Sequence, residues 1–345
     1  IRSMASGSQT RRLVAEWDFL LSSLQGSSPE NQVVADVAEH IPVTVLSGFL
    51  GSGKTTMLAH LLQGDHGQKL AAVVNDVGAL NIDAAMVADT QGDVIQLTNG
   101  CSCCALGPEL ARSLEQICRQ DSPPDGIVIE ASGIADPAGL GVVIAGGAGI
   151  RLDGIVTVID GTALARWLEH PATATLFQRQ LDAAHLLVLN KVDLIDGDKI
   201  IEATNRLANL APGRPVIATE QGRLDPELAL GAAYRGARPD PGSHGHDASG
   251  FSAHSIELNR PVERRRLVAV LADLPAGLIR VKGFVETSDA LGRKQTVQAV
   301  GRLWSIEPTR RDIDPQVSDA LVLIGLADQA ETWLPEFKQG LLSQP

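Results

Sequence analysis

The sequence predicts an α/β protein: a doubly wound, mostly parallel sheet followed by a second, smaller α+β domain. Three observations lead to this prediction. Short aliphatic runs alternate with helical patterns through the first part of the chain, a glycine-rich loop pattern follows the first of these runs, and the order of predicted elements changes after residue 250.

The strands of the first domain are predicted from short, continuous apolar runs, which are typical of a parallel sheet buried on both faces. These runs cover residues 43–46, 70–74, 94–97, 127–129, 155–159 and 186–189. In such a sheet, ligands bind at the carboxyl ends of the strands. The motifs described below each follow one of these runs, so we expect them to meet at one edge.

The chain divides into four predicted segments. Residues 1–40 form an N-terminal extension, in which apolar side chains between Leu13 and Leu24 recur at the spacing of an amphipathic helix. Residues 41–232 form the parallel α/β domain, and a stretch rich in Gly, Pro and Asp at 233–250 is a linker. Residues 251–345 read as strand, helix, three strands and a final helix, which predicts a small sheet with helices on one face.

Composition limits the possible functions. The formal net charge of −12 disfavours general binding to nucleic acid or to an anionic membrane surface. No apolar run approaches the roughly 20 residues that a membrane helix requires. Only four cysteines occur, three of them close together, which suits a reducing compartment, and we expect a cytoplasmic protein.

The segment from Gly48 to Thr56 matches the phosphate-binding P-loop and follows an apolar strand directly. Its glycines permit tight curvature, so consecutive backbone N–H groups and the positive end of the next helix face the anion. Lys54 is expected to reach the β- and γ-phosphates, and the Thr55 hydroxyl is expected to bind Mg²⁺. The predicted nucleotide-binding residues of this P-loop NTPase domain are Gly48, Gly51, Ser52, Gly53, Lys54, Thr55 and Thr56.

The tetrapeptide Asn190-Lys191-Val192-Asp193 follows another apolar run and matches the guanine-reading motif of P-loop GTPases. The Asp193 carboxylate can accept two hydrogen bonds from guanine, whereas adenine lacks the exocyclic amine and presents an acceptor at N1. We expect Asn190 to bond the base on its other edge, and Lys191 to lie over the ring and brace the P-loop. The alternative is a polar turn after a strand. The pattern predicts GTP as the nucleotide.

Between these two motifs, a strand ends in Glu130, with Gly133 three residues further on. Glu130 is predicted to hold the Mg²⁺ shell or to orient the attacking water, and the Gly133 N–H to sense the γ-phosphate. Lys54, Glu130 and Gly133 are therefore the predicted catalytic residues. Upstream, Asp83 lies where a nucleotide-sensing loop is expected and is predicted to approach the magnesium with Thr55 and Glu130.

The turn Asn99-Gly100-Cys101-Ser102-Cys103-Cys104 brings three thiols close together in sequence. Thiolates are soft ligands that suit zinc or Cu(I), and three of them leave the fourth position of a tetrahedral site open. An open position would let a carrier pass its metal to another ligand set. Redox chemistry and packing are the alternatives; packing explains Cys118, which shares a helix face with Leu114, better than it explains this polar turn.

Taken together, these residues resemble the CobW-type metallochaperone GTPases, relatives of the nickel-handling GTPases of urease and hydrogenase maturation. The resemblance rests on the P-loop, the Gly100–Cys104 turn, Glu130 with Ser132-Gly133, and the Asn190–Asp193 motif, and it continues at Arg280-Val281-Lys282-Gly283. It implies GTP hydrolysis with Mg²⁺, coupled to delivery of a transition metal to a client metalloprotein. Zn²⁺ is the expected metal, with Co²⁺ and Fe²⁺ as alternatives, and a homodimer is a further possibility.

Two departures from the family pattern matter. Asp76 stands where relatives usually carry a glutamate, and the linker has only His244 and His246 where some members have long histidine tracts. Two other functions remain open on the sequence: a GTP-regulated scaffold with a structural zinc, and a P-loop kinase or nucleotide-dependent synthetase, against which Asp193 argues. His254, in a predicted strand, is interpreted as structural.

Overall fold

The structure is a computed structural model of the 345-residue chain. It describes residues 40–64, 67–75, 93–97, 106–169, 171–230, 251–309 and 319–342. Several predictions lie outside these residues: the N-terminal helix, the linker at 233–250, Asp76, Asp83, and the turn that carries Cys101, Cys103 and Cys104.

Within the described residues, the first sheet has seven strands, and its neighbouring strands pair in parallel. In chain order they are β1 (Ile41–Ser47), β2 (Leu70–Asn75), β3 (Asp93–Leu97), β4 (Gly126–Glu130), β5 (Ile150–Asp160), β6 (Leu186–Asn190) and β7 (Val216–Ala218). Their order across the sheet is β3-β2-β4-β1-β5-β6-β7. The central position of β1 places the glycine-rich loop in the middle of the carboxyl edge.

Helices of the first domain connect these strands and cover both faces of the sheet. They are α1 (Lys54–Gln63), α2 (Leu106–Cys118), α3 (Pro137–Ala145), α4 (Leu164–Glu169), α5 (Pro171–Ala183), α6 (Gly197–Leu210) and α7 (Pro226–Ala229), with a 3-10 turn at Val192–Leu194. Alternate residues of β6 enter different hydrophobic clusters: Leu186 and Val188 join one, Leu187 and Leu189 another. Both faces are therefore buried, which confirms the predicted doubly wound sheet.

The second sheet is antiparallel and has five strands among the described residues, in the order β11-β10-β9-β12-β8. Its elements are β8 (Phe251–Glu257), α8 (Arg264–Ala272), β9 (Leu278–Glu286), β10 (Lys294–Val300), β11 (Leu303–Pro308), β12 (Ala320–Leu326) and α9 (Ala330–Leu342). Leu267 and Leu271 of α8 share a buried cluster with Trp333 and Phe337 of α9. The predicted α+β architecture is confirmed. The rings of His254 and Trp333 lie in an edge-to-face arrangement, with their centroids 5.3 Å apart.

A buried ionic cluster joins the second sheet to β5. Nη2 of Arg280, on β9, donates to Oδ2 of Asp153 at 2.7 Å, and Nη1 donates to the carbonyl oxygen of Leu228 at 3.0 Å. Arg151 approaches the other carboxylate oxygen of Asp153 at 3.5 Å. Burial alone would raise the pKa of Asp153, but Arg280 and then Arg151 hold it below its ordinary value. The carboxylate therefore stays charged and bound to Arg280.

His185, just before β6, is held in its neutral form by its surroundings. Its Nδ1 accepts a hydrogen bond from the Ile155 N–H at 3.0 Å, so that nitrogen carries no proton. Burial, followed by the positive charge of Arg214, lowers the pKa of His185 to about 4. Protonation of the ring therefore opposes folding.

We expect the protein to lose stability in mild acid because of His185. Between its ordinary pKa of 6.5 and its folded value of about 4, the unfolded chain binds a proton that the folded chain excludes. The free energy of unfolding should fall by up to about 3 kcal/mol across this range. The variant His185→Asn keeps an acceptor but cannot titrate, so urea unfolding should give it a flatter pH profile; an unchanged slope would contradict the assignment.

None of the helices in the described part of the chain has the length and apolarity that a bilayer-spanning segment needs.

Candidate functional site

The loop after β1 has a conformation that only glycine permits at two positions. Gly48 has φ +130°, and a Cβ there would lie 2.0 Å from the carbonyl oxygen of Val158 on β5. Gly53 has φ +101°, and a Cβ there would lie 2.3 Å from Nδ2 of Asn190. The loop is therefore pressed against the ends of the neighbouring strands, and α1 begins immediately after it at Lys54.

Phe49 anchors this loop in a cluster of aromatic rings. Its ring stacks on Trp167 of α4 at a centroid distance of 4.9 Å and meets Phe177 of α5 at 6.1 Å. Leu50, the next residue, is 68% exposed. One side of the loop is thus fixed in the core while its tip reaches the surface, a division of roles that the sequence analysis did not predict.

The predicted phosphate-binding residues cluster at the start of α1. Lys54 is buried, and its Nζ donates to the carbonyl oxygen of Phe49 at 3.0 Å. Ser52 is also buried and donates its N–H to the same carbonyl oxygen at 3.2 Å, while Thr55 and Thr56 are half-buried. Loop and helix therefore bring a lysine ammonium, two threonine hydroxyls and the helix N-terminus together.

Thr55 and Glu130 meet at the carboxyl ends of two neighbouring strands. Oγ1 of Thr55 donates to Oε1 of Glu130 at 2.8 Å, and Glu130 pairs with Leu46 in the register of β1 and β4. Glu130 is buried. A hydroxyl beside a carboxylate at the end of a P-loop provides oxygen ligands of the kind that Mg²⁺ prefers, so the residues present fit this ion.

Gly133 lies where its backbone touches the tip of the P-loop. A Cβ at this position would lie 2.5 Å from the backbone nitrogen of Leu50, so a larger residue would displace the loop. The Gly133 carbonyl oxygen accepts a hydrogen bond from Nε2 of the buried Gln180 at 3.3 Å, and so does that of Ala135. Gln180 therefore positions the segment after β4. This role of Gln180 could not be predicted from the sequence, because a single Gln on a helix forms no motif.

Asn190 links three parts of the site. Its Nδ2 donates to the carbonyl oxygen of Ser52 at 2.9 Å, and its Oδ1 accepts from the backbone N–H of Gly222 at 2.8 Å. The sequence predicts that Lys191 braces the P-loop, but the hydrogen bond to the P-loop comes from Asn190. Lys191 instead bonds Oδ2 of Asp160 at the end of β5, with its Nζ at 2.7 Å.

Lys191 and Asp193, the other polar residues of the Asn190–Asp193 motif, lie near the carboxyl edge of the first sheet, as does Asp160. Burial alone would raise the pKa of Asp160, but hydrogen bonds from Lys191 and Thr162 lower it below its ordinary value. Lys191 itself has φ +63°, which turns the chain into the 3-10 turn that contains Asp193. Asp193 is exposed.

A loop after β7 completes this region and was not predicted. The Thr219 N–H donates to the Leu189 carbonyl oxygen at 2.8 Å, and the Thr219 carbonyl oxygen accepts from Val192 at 3.3 Å. A Cβ at Gly222 would lie 2.9 Å from the backbone nitrogen of Met57 in α1. The strand β7 has three residues and is too short to predict from the sequence. The loop that follows it was therefore not predicted, although Gly222, after Glu220-Gln221, is typical of such a loop.

The predicted metal site lies outside the described residues, as does Asp83. Among the residues that the structure does describe, no group of three or more His, Cys, Asp or Glu side chains is placed to hold a metal ion. Cys118 ends α2 with its Sγ 3.8 Å from the Gly149 carbonyl oxygen, packed against the hydrophobic core. Burial and then Glu115 raise the pKa of the Cys118 thiol, which suits a packing role.

A parallel sheet with a phosphate-binding loop after its central strand, and a hydroxyl–carboxylate pair beside that loop, defines a P-loop nucleoside triphosphatase. Comparison with known protein families shows which kind of P-loop protein this is. Residues 42–218 match the model "CobW/HypB/UreG, nucleotide-binding domain", and residues 251–338 match "Cobalamin synthesis protein cobW C-terminal domain".

Two relatives with similar sequences agree with these matches. The chain is 30% identical to a protein named zinc chaperone CobW from Sinorhizobium sp, over 84% of this chain and 94% of the relative. It is 34% identical to the zinc-regulated GTPase metalloprotein activator 1 of Schizosaccharomyces pombe, over 54% of this chain and 47% of the relative. Among solved structures, zinc-bound YjiA GTPase from E. coli matches with a TM-score of 0.40 at 24% identity, covering 88% of this chain and 98% of that one.

The chain therefore belongs to the CobW/HypB/UreG family of P-loop GTPases and carries a CobW-type C-terminal domain.

Proposed function

We propose that this GTPase is a metallochaperone, which binds zinc at Cys101, Cys103 and Cys104 and passes it to a client metalloprotein in a cycle governed by GTP. The observation that carries this proposal is the combination of a complete P-loop site with a Cys-x-Cys-Cys turn between β3 and α2. Family relatives named as zinc chaperones support zinc as the metal. Because thiolate ligands need a reducing compartment, we place the protein in the cytoplasm.

In the proposed site, the triphosphate lies along the P-loop. Backbone N–H groups of Gly51 and Gly53 and the ammonium of Lys54 neutralise its charge. Asp193 reads the guanine by accepting hydrogen bonds from its N1–H and amine, and the linked Asn190 keeps the P-loop and the Gly222 loop at the correct separation. ATP would leave the Asp193 carboxylate unpaired, so the site selects GTP.

Mg²⁺, when bound, neutralises charge on the β- and γ-phosphates during hydrolysis. Thr55 and Glu130 would hold it, because their oxygen atoms already converge at 2.8 Å. Gly133, which touches Leu50 at the P-loop tip, presents its backbone to the terminal phosphate. Gln180 keeps this backbone in place through its hydrogen bonds to Gly133 and Ala135. We propose that Asp83 joins the Mg²⁺ shell once nucleotide is bound.

Zinc is the cargo, and three thiolates can hold it while leaving a fourth position open for a ligand of the client. The cysteine turn follows β3 in sequence, and β3 pairs with β2, whose carboxyl end lies at the edge that carries the P-loop. Movement of this edge on hydrolysis would then alter the thiolate positions. Metal affinity and nucleotide state become linked, and each changes the other by the same factor.

Zinc titration of a serine variant tests this proposal. Wild-type protein should bind one zinc ion, and Cys103→Ser should bind it at least about 100-fold more weakly, since such sites derive on the order of 10 kcal/mol from their ligands together. The matched control is Cys118→Ser, because Cys118 packs against the core and faces Gly149. Its zinc affinity should equal that of the wild type. Full zinc affinity in Cys103→Ser would place the metal elsewhere.

A further inference from the structure

We infer that Arg280, in the second sheet, is a positioning residue for the nucleotide site and acts through residues 219–230, here called the bracing segment. The inference rests on the proposed guanine site, because it assigns a distant residue to the geometry of that site. The bracing segment runs from the loop after β7 through α7. At one end it contacts the guanine-reading motif, and at the other it contacts Arg280.

The first end of the bracing segment is tied to the P-loop through Asn190. The Gly222 N–H donates to Oδ1 of Asn190 at 2.8 Å, and Nδ2 of the same side chain donates to the Ser52 carbonyl oxygen at 2.9 Å. All three residues participate in buried hydrogen bonds, which are costly to break without a replacement partner. The position of Gly222 therefore helps to set the position of the P-loop.

The second end is the one-turn helix α7. Its last carbonyl groups face away from the helix and need external donors. The Leu228 carbonyl oxygen accepts from Nη1 of Arg280 at 3.0 Å, and the Ala229 carbonyl oxygen accepts from Oγ1 of Thr44 on β1 at 3.2 Å. A single helical turn is not stable by itself. The place of α7 thus depends on these two donors and on the packing of Leu228.

The position of Arg280 is fixed because the second nitrogen of its guanidinium group also forms a buried hydrogen bond. Nη2 bonds Asp153 on β5 at 2.7 Å, and the whole side chain is buried. Its planar guanidinium joins a carboxylate and a carbonyl in two directions at once, which a lysine ammonium cannot do with the same geometry. Removing this fork would loosen α7, and nucleotide binding would then have to order the bracing segment at a cost in affinity.

Nucleotide affinity of three variants tests the inference, measured as the Kd of fluorescent GDP. Arg280→Gln should weaken GDP binding about fivefold or more, in the usual range of coupling between sites. The matched control is Arg151→Gln: Arg151 belongs to the same ionic cluster, and its ion pairs are with Asp153 and Glu307. Its Kd should stay within about twofold of the wild type, since changes of this size fall below such coupling.

The third variant distinguishes an effect of Arg280 on the geometry of the nucleotide site from an effect on the stability of the protein. Arg280→Lys keeps a positive charge beside Asp153, so it should recover most of the melting temperature that Arg280→Gln loses. It cannot reproduce the two-way fork, so its GDP affinity should stay weakened. If the affinity of these variants follows their melting temperature, or if Arg280→Gln binds GDP as the wild type does, the inference is wrong.

Hydrogen exchange on the wild-type chain provides a test that needs no variant. Adding GDP should slow amide exchange in residues 219–230 and in β9, because linkage between two sites is reciprocal. If GDP slows amide exchange in the P-loop but leaves the exchange rates in β9 unchanged, the inference is wrong. The proposed nucleotide site would still stand. No protection anywhere, and no binding of GDP, would overturn both.

Discussion

Replacing Lys54 with alanine is expected to remove most of the affinity for GTP. The Lys54 ammonium is buried at the start of α1 and held over the loop by the Phe49 carbonyl oxygen at 3.0 Å. We propose that this ammonium contacts the β- and γ-phosphates of the bound nucleotide. Hydrogen bonds to a charged group contribute about 1.5–3 kcal/mol, and a buried charge-assisted contact to phosphate lies at the upper end of this range. Lys54→Ala should therefore raise the Kd for GTP at least about 100-fold.

Isothermal titration with a GTP analogue measures this effect directly. Lys199→Ala is the matched control, because Lys199 is an exposed lysine on α6 that forms a surface ion pair with the exposed Asp196. It should bind GTP as the wild type does. The Lys54→Ala variant should keep its fold, since Ala has a high helix propensity and α1 retains Met57, Leu58 and Leu61 in the core. Retained GTP affinity in Lys54→Ala would contradict the P-loop assignment.

Replacing Asp153 with alanine is expected to cause the largest loss of stability. Asp153 and Arg280 form a buried ion pair at 2.7 Å, and removing the carboxylate leaves a buried guanidinium without its counter-charge. Such a change typically costs about 3–5 kcal/mol. Asp198→Ala, which removes an exposed acid on α6, should change the free energy of unfolding by less than about 0.5 kcal/mol.

A second variant and a pH series identify the cause of that loss. Asp153→Ala with Arg280→Met removes both charges, so chemical denaturation should show recovery of part of the lost free energy. Because the pKa of Asp153 is lowered in the fold, its contribution is full above the ordinary value of 3.8 and disappears as the pH falls through the folded value. If Asp153→Ala alone is as stable as the wild type, the ion pair of Asp153 and Arg280 does not hold the second sheet to β5.

Much of the fold could be predicted because each strand carries its own local pattern. The aliphatic runs predicted the strands from β1 to β6, and the P-loop pattern predicted the helix α1 that follows it. The strands β7 and β11 were missed for different reasons. β7 has three residues, too few to show a period, and β11 mixes Trp304, Ser305 and Ile306 without a clear apolar face.

The candidate site could be predicted only where a motif names its residues. Thr55 and Glu130 do meet, as the P-loop chemistry implies. The contacts that hold the motifs together could not be predicted, because they join residues far apart in the chain: Asn190 with Ser52, Gln180 with Gly133, and Arg280 with Asp153. Such pairings depend on tertiary packing, and neither composition nor periodicity records which distant side chains will meet.

We propose that nucleotide state and metal affinity are linked in this GTPase. Zinc affinity should be measured by competition with a chelating dye, on the full chain, with a non-hydrolysable GTP analogue, with GDP and without nucleotide. We expect the zinc affinities with the GTP analogue and with GDP to differ at least about fivefold. Equal zinc affinity in all three states would contradict it.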